Sequence, residues 1–170
     1  GERVALKHRD YKTNTWIPTT WNQFAETVTT VSNALIELGV EVQENLGVFT
    51  QNKPESLYMD FGAFGVRAVT VPLYATSSEA QVHYILEDAQ IRYLFVGEQQ
   101  QYDVASRVMA LSSSLKQIIV FDRDVKFDAH DKTTMYMDDF LALGKDGKHQ
   151  MEVDKRTAES QKDDLMNILY

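Results

Sequence analysis

The sequence predicts an α/β fold of three layers, α/β/α, built on a mostly parallel, doubly wound sheet that follows a short N-terminal β-hairpin. Three observations carry that reading. Short apolar runs suited to strands buried on both faces alternate with longer runs whose apolar residues recur every three or four positions. Several of the longer runs open on capping patterns. A strand-helix-strand alternation of this length requires crossovers, and right-handed crossovers place their helices on the sheet faces.

Residues 1–19 read as a lead-in hairpin: Val4-Ala5-Leu6, a polar stretch from Asp10 to Asn14, then Thr15-Trp16-Ile17-Pro18. At Thr20 the period changes. Thr20 and Gln23 have capping-box spacing, and Trp21, Phe24, Ala25, Val28, Val31, Leu35 and Leu38 then mark one helical face up to Gly39. Leu46–Thr50 is the first buried strand. Asn52-Lys53-Pro54-Glu55 opens a second helix, with Leu57, Tyr58, Phe61 and Phe64 as its buried stripe and Gly62 and Gly65 as a close contact with the sheet. Ala68–Pro72 is a strand, and Thr76-Ser77-Ser78-Glu79 caps a helix that points Val82, Ile85, Leu86 and Ala89 inward. A strand at Ile91–Val96, a helix marked by Tyr102, Ala105, Val108, Met109 and Leu111, and a strand at Gln117–Phe121 complete a βα core over residues 20–121. Residues 122–163 read as a charged, solvated excursion with one short helix at Asp138–Leu143. Residues 164–170 read as a final strand. Strand order is not readable at this level.

Composition limits function. There are 170 residues with 17 Lys+Arg against 25 Asp+Glu, a net charge of −8, and no cysteine. Acidity without a basic block argues against nucleic acid, or an anionic membrane surface, as the main partner. Lack of cysteine removes disulfides, Cys-ligated metals and thiol nucleophiles. No apolar run is long enough to span a membrane, and no basic-then-apolar export pattern opens the chain, so the expected location is the cytoplasm.

Motifs for chemistry are few. The eight glycines form neither a dinucleotide-binding nor a P-loop pattern, and Gly-x-Ser-x-Gly is absent. The four histidines make no metal pair, and Asp128-Ala129-His130-Asp131 reads as solvated. Asp138-Asp139, Asp163-Asp164 and Glu87-Asp88 read as caps or exposed pairs. Catalytic and metal residues are therefore expected to be none. Two stretches follow the carboxyl ends of parallel strands, where ligands collect in open sheets. They supply the candidate loop residues Asn52, Glu55, Tyr74, Thr76 and Ser77, although capping by Asn52, Glu55, Thr76 and Glu79 would explain much of them.

Gln51-Asn52-Lys53-Pro54-Glu55, the run Gly65–Ser78, Tyr84–Asp88 and Tyr93–Val96 together resemble the N-terminal part of adenylate-forming acyl-CoA synthetases, and most of all the long-chain fatty acid–CoA ligases. The resemblance runs from about Thr19 to Tyr170. It implies a parent enzyme that uses ATP and Mg2+ to form an acyl-adenylate from a fatty acid, then passes the acyl group to coenzyme A. It places the phosphate-binding loop, acidic metal motif, ribose-binding Asp and C-terminal Lys downstream. The chain is accordingly expected to be a segment truncated before the ATP phosphate-binding loop, to bind none of these cofactors and to be inactive alone. Its expected partners are the parent's remaining subdomains, with self-association through surface they would cover. The resemblance also leaves open a peripheral place for the parent at the inner membrane face. His83 and Tyr84 stand where some short-chain relatives use arginines for the CoA phosphate, which puts that role in doubt here. The alternatives are a non-catalytic interaction or oligomerisation module, or a segment of an aryl-CoA ligase, a luciferase-like enzyme or a peptide-synthetase adenylation domain.

Overall fold

The computed structural model describes residues 1–128 and 130–170. A two-stranded antiparallel hairpin, β1 (Val4–Asp10) and β2 (Thr15–Thr20), leads into α1 (Trp21–Glu37). The main sheet then forms from β3 (Asn45–Phe49), β4 (Val69–Leu73), β5 (Tyr93–Val96), β6 (Gln117–Val120) and β7 (Thr134–Tyr136). The helices between and after these strands are α2 (Pro54–Gly65), α3 (Glu79–Asp88), α4 (Gln99–Met109), α5 (Met137–Gly144) and α6 (Gln150–Ala158). All five strands pair in parallel, in the order β4-β3-β5-β6-β7. The chain steps first to one side of β3, through α2, and then to the other, through α3. This reversal is the topological switch point of a doubly wound sheet, and it lies between β3 and β5.

Alternation along each strand divides the core. Leu46, Val48, Tyr93, Phe95 and Ile119 pack under α1, α2, α5 and α6, whereas Phe49, Leu94, Val96, Ile118 and Val120 pack under α3 and α4. The Thr20–Gln23 capping box forms as expected, with the Gln23 amide donating to the Thr20 hydroxyl at 3.3 Å and the Thr20 amide to Gln23 Oε1 at 2.8 Å. Gly39 ends α1 at φ +79°, with the Val40 amide reaching back to the Leu35 carbonyl at 3.0 Å.

The structure corrects four expectations. The buried face of α2 is Met59, Gly62 and Ala63, while Leu57 and Phe61 are exposed. The small residues let α2 press against α1 rather than the sheet: a Cβ on Gly62 would stand 2.8 Å from Val31 Cβ, and one on Gly65 2.9 Å from the Ser32 hydroxyl. Trp21, Phe24, Tyr58, Phe61 and Phe64 instead form a chain of ring contacts at 5.4–6.1 Å along the outer seam. Second, α3 is capped by Ser78 with Gln81, not from Thr76. Third, residues 122–163 are not a solvated excursion: β7 extends the sheet, and Met137, Phe140 and Val153 enter the core. A few apolar side chains at helical spacing suffice there, with the abundant charges turned outward.

Fourth, residues 164–170 are not a full strand. They lie along β4 with one parallel bridge at Thr70–Asn167, formed by the Thr70 amide on the Met166 carbonyl (2.9 Å) and the Ile168 amide on the Thr70 carbonyl (3.1 Å). Of their apolar side chains only Ile168 packs against the core, and Leu165, Met166 and Leu169 stay exposed. Gln43 brackets Leu165, accepting from its amide at 2.8 Å and donating to its carbonyl at 3.2 Å, and Arg67 forks its guanidinium onto Asp164 at 2.8 and 3.0 Å. That hydrogen-bonded pairing keeps the Asp164 carboxyl below its ordinary 3.8. A carboxyl depressed in the folded state stabilises above its unfolded pKa and loses that contribution as pH falls through the folded one. Acidification below about pH 4 is therefore expected to lower the hydrogen-exchange protection factors of the Thr70 and Ile168 amides, taken against unfolded-chain rates at the same pH, and Arg67→Gln to do so at neutral pH. Unchanged protection in both experiments would refute the anchor.

Candidate functional site

The carboxyl ends of β3, β4, β5 and β6 open on one side of the sheet into a cleft of about 1420 Å3, walled opposite by residues 6–12 of the hairpin with Trp16 and Ile17. Four loops converge there, and one cation joins three of them. Lys53, just past β3, puts its ammonium 2.8 and 3.0 Å from the Asp122 carboxylate beyond β6 and 3.5 Å from Glu98 beyond β5. Gln51 donates to Glu98 at 3.2 Å. Burial works against the Lys53 charge, but the Asp122 hydrogen bond and the surrounding carboxylates outweigh it and hold its pKa above the ordinary 10.5. Lys53 is thus a neutralised clamp, not a free cation awaiting an anion.

The fourth loop is tied in by a buried amide. Gln101 accepts from the Glu98 amide at 3.1 Å and donates to the Ala75 carbonyl at 2.9 Å, so the loops after β4 and β5 share one fully satisfied side chain. At the switch point, the Gly97 amide donates to the Phe49 carbonyl at 3.1 Å and its Cα side faces Thr50. The Thr50 and Ser56 hydroxyls, both buried, have no hydrogen-bond partner among the described residues.

Of the five candidate residues, Asn52, Tyr74, Thr76 and Ser77 stand in the loops that open on this side and Glu55 in the first turn of α2, and all but Ser77 line the cleft. Ser77 is held in a turn by its amide on the Tyr74 carbonyl at 2.8 Å. Tyr74 is exposed. The expected capping roles do not form. Lys53 occupies the cap of α2 without a side-chain cap bond, which leaves Asn52 outside the helix. Lys53, Glu98, Asp122 and Gln101 were not singled out from the sequence. The rule that drew attention to the loops after β3 and β4 would have found Glu98 and Asp122 had it been applied to all four strands.

His83 and Tyr84 lie on α3, away from this cleft, with the Tyr84 ring edge-on to Tyr170 at 6.1 Å. Asp131 accepts from the Thr133 amide at 2.7 Å and Asp128 from the His130 amide at 2.8 Å, so both act as turn caps. Ala129 lies outside the described residues. Among the described residues no group of three His, Cys, Asp or Glu is placed to hold a metal ion, and no helix is long and apolar enough to cross a membrane.

Asp60 is the cleft carboxyl that is shifted upward. Burial pushes its pKa above 3.8, opposed by a hydrogen bond from the Thr70 hydroxyl, which itself accepts from Asn167 Nδ2 at 2.5 Å. A carboxyl raised in the folded state costs stability once pH exceeds its unfolded pKa. Asp60→Asn keeps an acceptor for Thr70, so it is expected to stabilise by roughly 0.5 kcal/mol at neutral pH, a modest gain because solvent screens the half-buried group. The difference should vanish below about pH 4. Urea titrations at both pH values check it, and a loss of stability at neutral pH would show that the carboxylate is favourably placed.

The comparisons fit this architecture. The family profile described as AMP-binding enzyme matches residues 1–170. Fatty acyl-CoA synthetase A of Dictyostelium discoideum is 26% identical over 96% of the chain and 23% of its own length, and long-chain-fatty-acid–CoA ligase 1 of Homo sapiens is 30% identical over 60% and 15%. The chain thus spans about a quarter or less of these curated relatives. Among solved structures, coronafacic acid ligase from Pectobacterium brasiliense superposes with a TM-score of 0.74 at 14% identity, covering 91% of this chain and 29% of that one. The anthranilate CoA ligase AuaEII, in complex with anthranoyl-AMP, gives 0.67 at 23% over 75% and 24%. With the fold shared and the profile matched from end to end, the chain belongs to the AMP-binding enzyme family.

Proposed function

We propose that the chain is the N-terminal subdomain of a longer acid–thiol ligase that joins a long-chain fatty acid to coenzyme A, with the cytoplasm as its place of work. The observation that carries this is the profile match over residues 1–170 together with curated relatives named as long-chain fatty acid ligases. In that reaction the carboxylate displaces pyrophosphate from ATP to give an acyl-adenylate, and the CoA thiol then displaces AMP. The residues described here do not fit a nucleotide triphosphate or its Mg2+. Lys53, the cation at the strand-end loops, is already matched by Asp122 and Glu98, Glu55 and Asp60 also stand on the walls, and the cations Lys7 and Arg9 belong to the hairpin wall opposite. No step is therefore assigned to them. Their part is to set the loops on which the rest of the ligase builds.

Two solved relatives are named for acids that are not long-chain, anthranilate and coronafacic acid, so the acyl group is the point to test. A full-length protein containing this chain is expected to form acyl-CoA from long-chain fatty acids in preference to aryl acids, while residues 1–170 alone release no pyrophosphate above background with ATP, Mg2+ and fatty acid. Preference for aryl acids would overturn the substrate, and pyrophosphate release by the isolated chain would overturn the inactivity. The exposed Trp21, Leu57 and Phe61 seam supports concentration-dependent self-association of the isolated chain. A clean monomer in sedimentation at high concentration would count against it.

A further inference from the structure

Among the described residues, four that are not glycine hold left-handed backbone: Asn14, Gln43, Arg67 and Gln90, at φ 57°, 60°, 60° and 52°. Glycine takes that conformation freely, whereas a Cβ disfavours it by roughly tenfold in an equilibrium constant. Asn14 turns the hairpin, where a short polar side chain is at ease, and Gln90 bonds within its own turn, donating to the Glu87 carbonyl at 2.7 Å. Gln43 and Arg67 differ. They meet each other, with the Gln43 amide and its Nε2 donating to the Arg67 carbonyl at 2.7 and 3.1 Å, and their side chains reach residues 122 and 97 positions further on, Leu165 and Asp164. Glycine would suit both backbones, and it could supply neither grip.

Burial alone does not hold what they grip. Residues 159–163 are exposed throughout, and within 164–170 only Ile168 packs on the core. The other fastenings are polar: the single bridge at Thr70, the Asn167 amide on the Thr70 hydroxyl, and the Tyr170 hydroxyl on Asp88 at 2.5 Å. An element with so few buried apolar contacts opens well below the free energy of global unfolding. Yet this segment meets the cleft twice. Leu169 and Tyr170 stand on its wall, and the Thr70 hydroxyl that accepts from Asn167 donates to Asp60, which stands there too.

We propose that residues 164–170 form a strap that opens independently of the rest of the fold and sets the β4 side of the cleft, and that Gln43 and Arg67 are the positioning residues that keep it seated. With the strap seated, Leu169 and Tyr170 complete the wall beside β4, and Asn167 holds the Thr70 hydroxyl that reaches Asp60. With the strap released, that wall is lost and the cleft opens at the edge of the sheet. Gln43 and Arg67 touch no ligand in this scheme; they act through the strap. Two residues kept in unfavourable backbone lower the stability of the whole chain in return for control of one segment, the pattern expected where position matters to function. That this control serves a reaction rests on the ligase reading; the strap and its clamp do not.

Native-state hydrogen exchange on the 170-residue chain tests the clamp. In Gln43→Gly and in Arg67→Gly the Thr70 and Ile168 amides are expected to lose protection by roughly tenfold, while the slowest amides of β5 keep or gain protection, because glycine relieves the left-handed backbone. Asp164→Asn leaves the backbone of both clamp residues untouched and should release the strap in the same way, so it decides the question if a glycine variant misfolds. The cleft is read with a thiol, since the chain has no cysteine of its own. Ser56 lines the cleft one helical turn before Asp60, and its buried hydroxyl has no partner to lose among the described residues, so Ser56→Cys is a mild change there. Its alkylation is expected to run about tenfold faster when Ser56→Cys is combined with Asp164→Asn. Strap and core protection that fall together would make Gln43 and Arg67 ordinary turn residues and overturn the proposal. So would unchanged protection of the strap, or a released strap with unchanged alkylation. None of these readouts uses turnover, so a parent that fails to make acyl-CoA would refute the ligase reading and leave the strap standing.

Discussion

Gly144→Ala is expected to destabilise the protein by about 3 kcal/mol or more, the upper end of what overpacking costs. Gly144 closes α5 where that helix crosses α1, and the space a side chain would need is filled by backbone. An added Cβ would overlap the Thr30 carbonyl oxygen and stand 2.5 Å from the Ala34 nitrogen and 3.1 Å from Ala34 Cβ. Side-chain clashes can be relieved by a rotamer change, but these require the helices to part. Parting them loosens Phe140, which is fully buried against Phe95 with ring centroids 5.3 Å apart, and uncovers Ala34 and Leu35. Gly147 supplies the control. It sits at φ +65° with nothing within 4 Å of an added Cβ, so Gly147→Ala meets backbone strain alone, about 1 kcal/mol. Urea denaturation separates the two: the midpoint should fall far more for Gly144→Ala, with the slope unchanged. A loss at Gly144 no larger than at Gly147 would mean that α5 rides loosely on α1.

Gly144 also marks where sequence reading reached its limit. The short helix after Asp138 was legible from local spacing, although it runs through Gly144 to a cap at Lys145 rather than stopping at the glycine. That the same glycine is a packing contact was not, since the other wall of the contact is α1, more than a hundred residues away. The same divide runs through the fold. The capping box at Thr20, the alternation of strands with helices, and the two-sided burial of β3, β5 and β6 follow from residue spacing, and all are present. The face of α2 failed because hydrophobicity favours Phe61 over Gly62, whereas close helix packing favours the smaller residue. The charged stretch after Phe121 failed because composition averages over positions, and three well-spaced side chains, Met137, Phe140 and Val153, are enough to seat it. At the site, each loop could be placed at a strand end from sequence, but the Lys53 clamp could not. It joins residues 45 and 69 positions apart, and only strand order brings them together.

That strand order makes Gly97→Ala the second large effect, an expected loss of about 2–3 kcal/mol. Gly97 follows β5 and Thr50 follows β3, the neighbouring strands between which the chain reverses direction across the sheet. Elsewhere such a point leaves a crevice for ligand. Here the two loops are pressed together, with a Cβ at Gly97 overlapping the Thr50 hydroxyl and lying 2.9 Å from Thr50 Cβ and 3.3 Å from its Cα. Only the hydroxyl is removable, so Thr50→Ala should rescue Gly97→Ala in part, a coupling of order 1 kcal/mol in a double-mutant cycle. Thr50→Val separates packing from hydrogen bonding. Its shape is retained, and the lost hydroxyl has no partner to leave behind, so the substitution should be neutral or stabilising. If Thr50→Val instead destabilises strongly, the hydroxyl has a partner within the folded chain. If Gly97→Ala is silent, the loops yield readily, and the switch point can open as a crevice after all. The position of Glu98 reports which occurs, because displacement of Gly97 carries Glu98 away from Lys53 and leaves that ammonium to Asp122 alone.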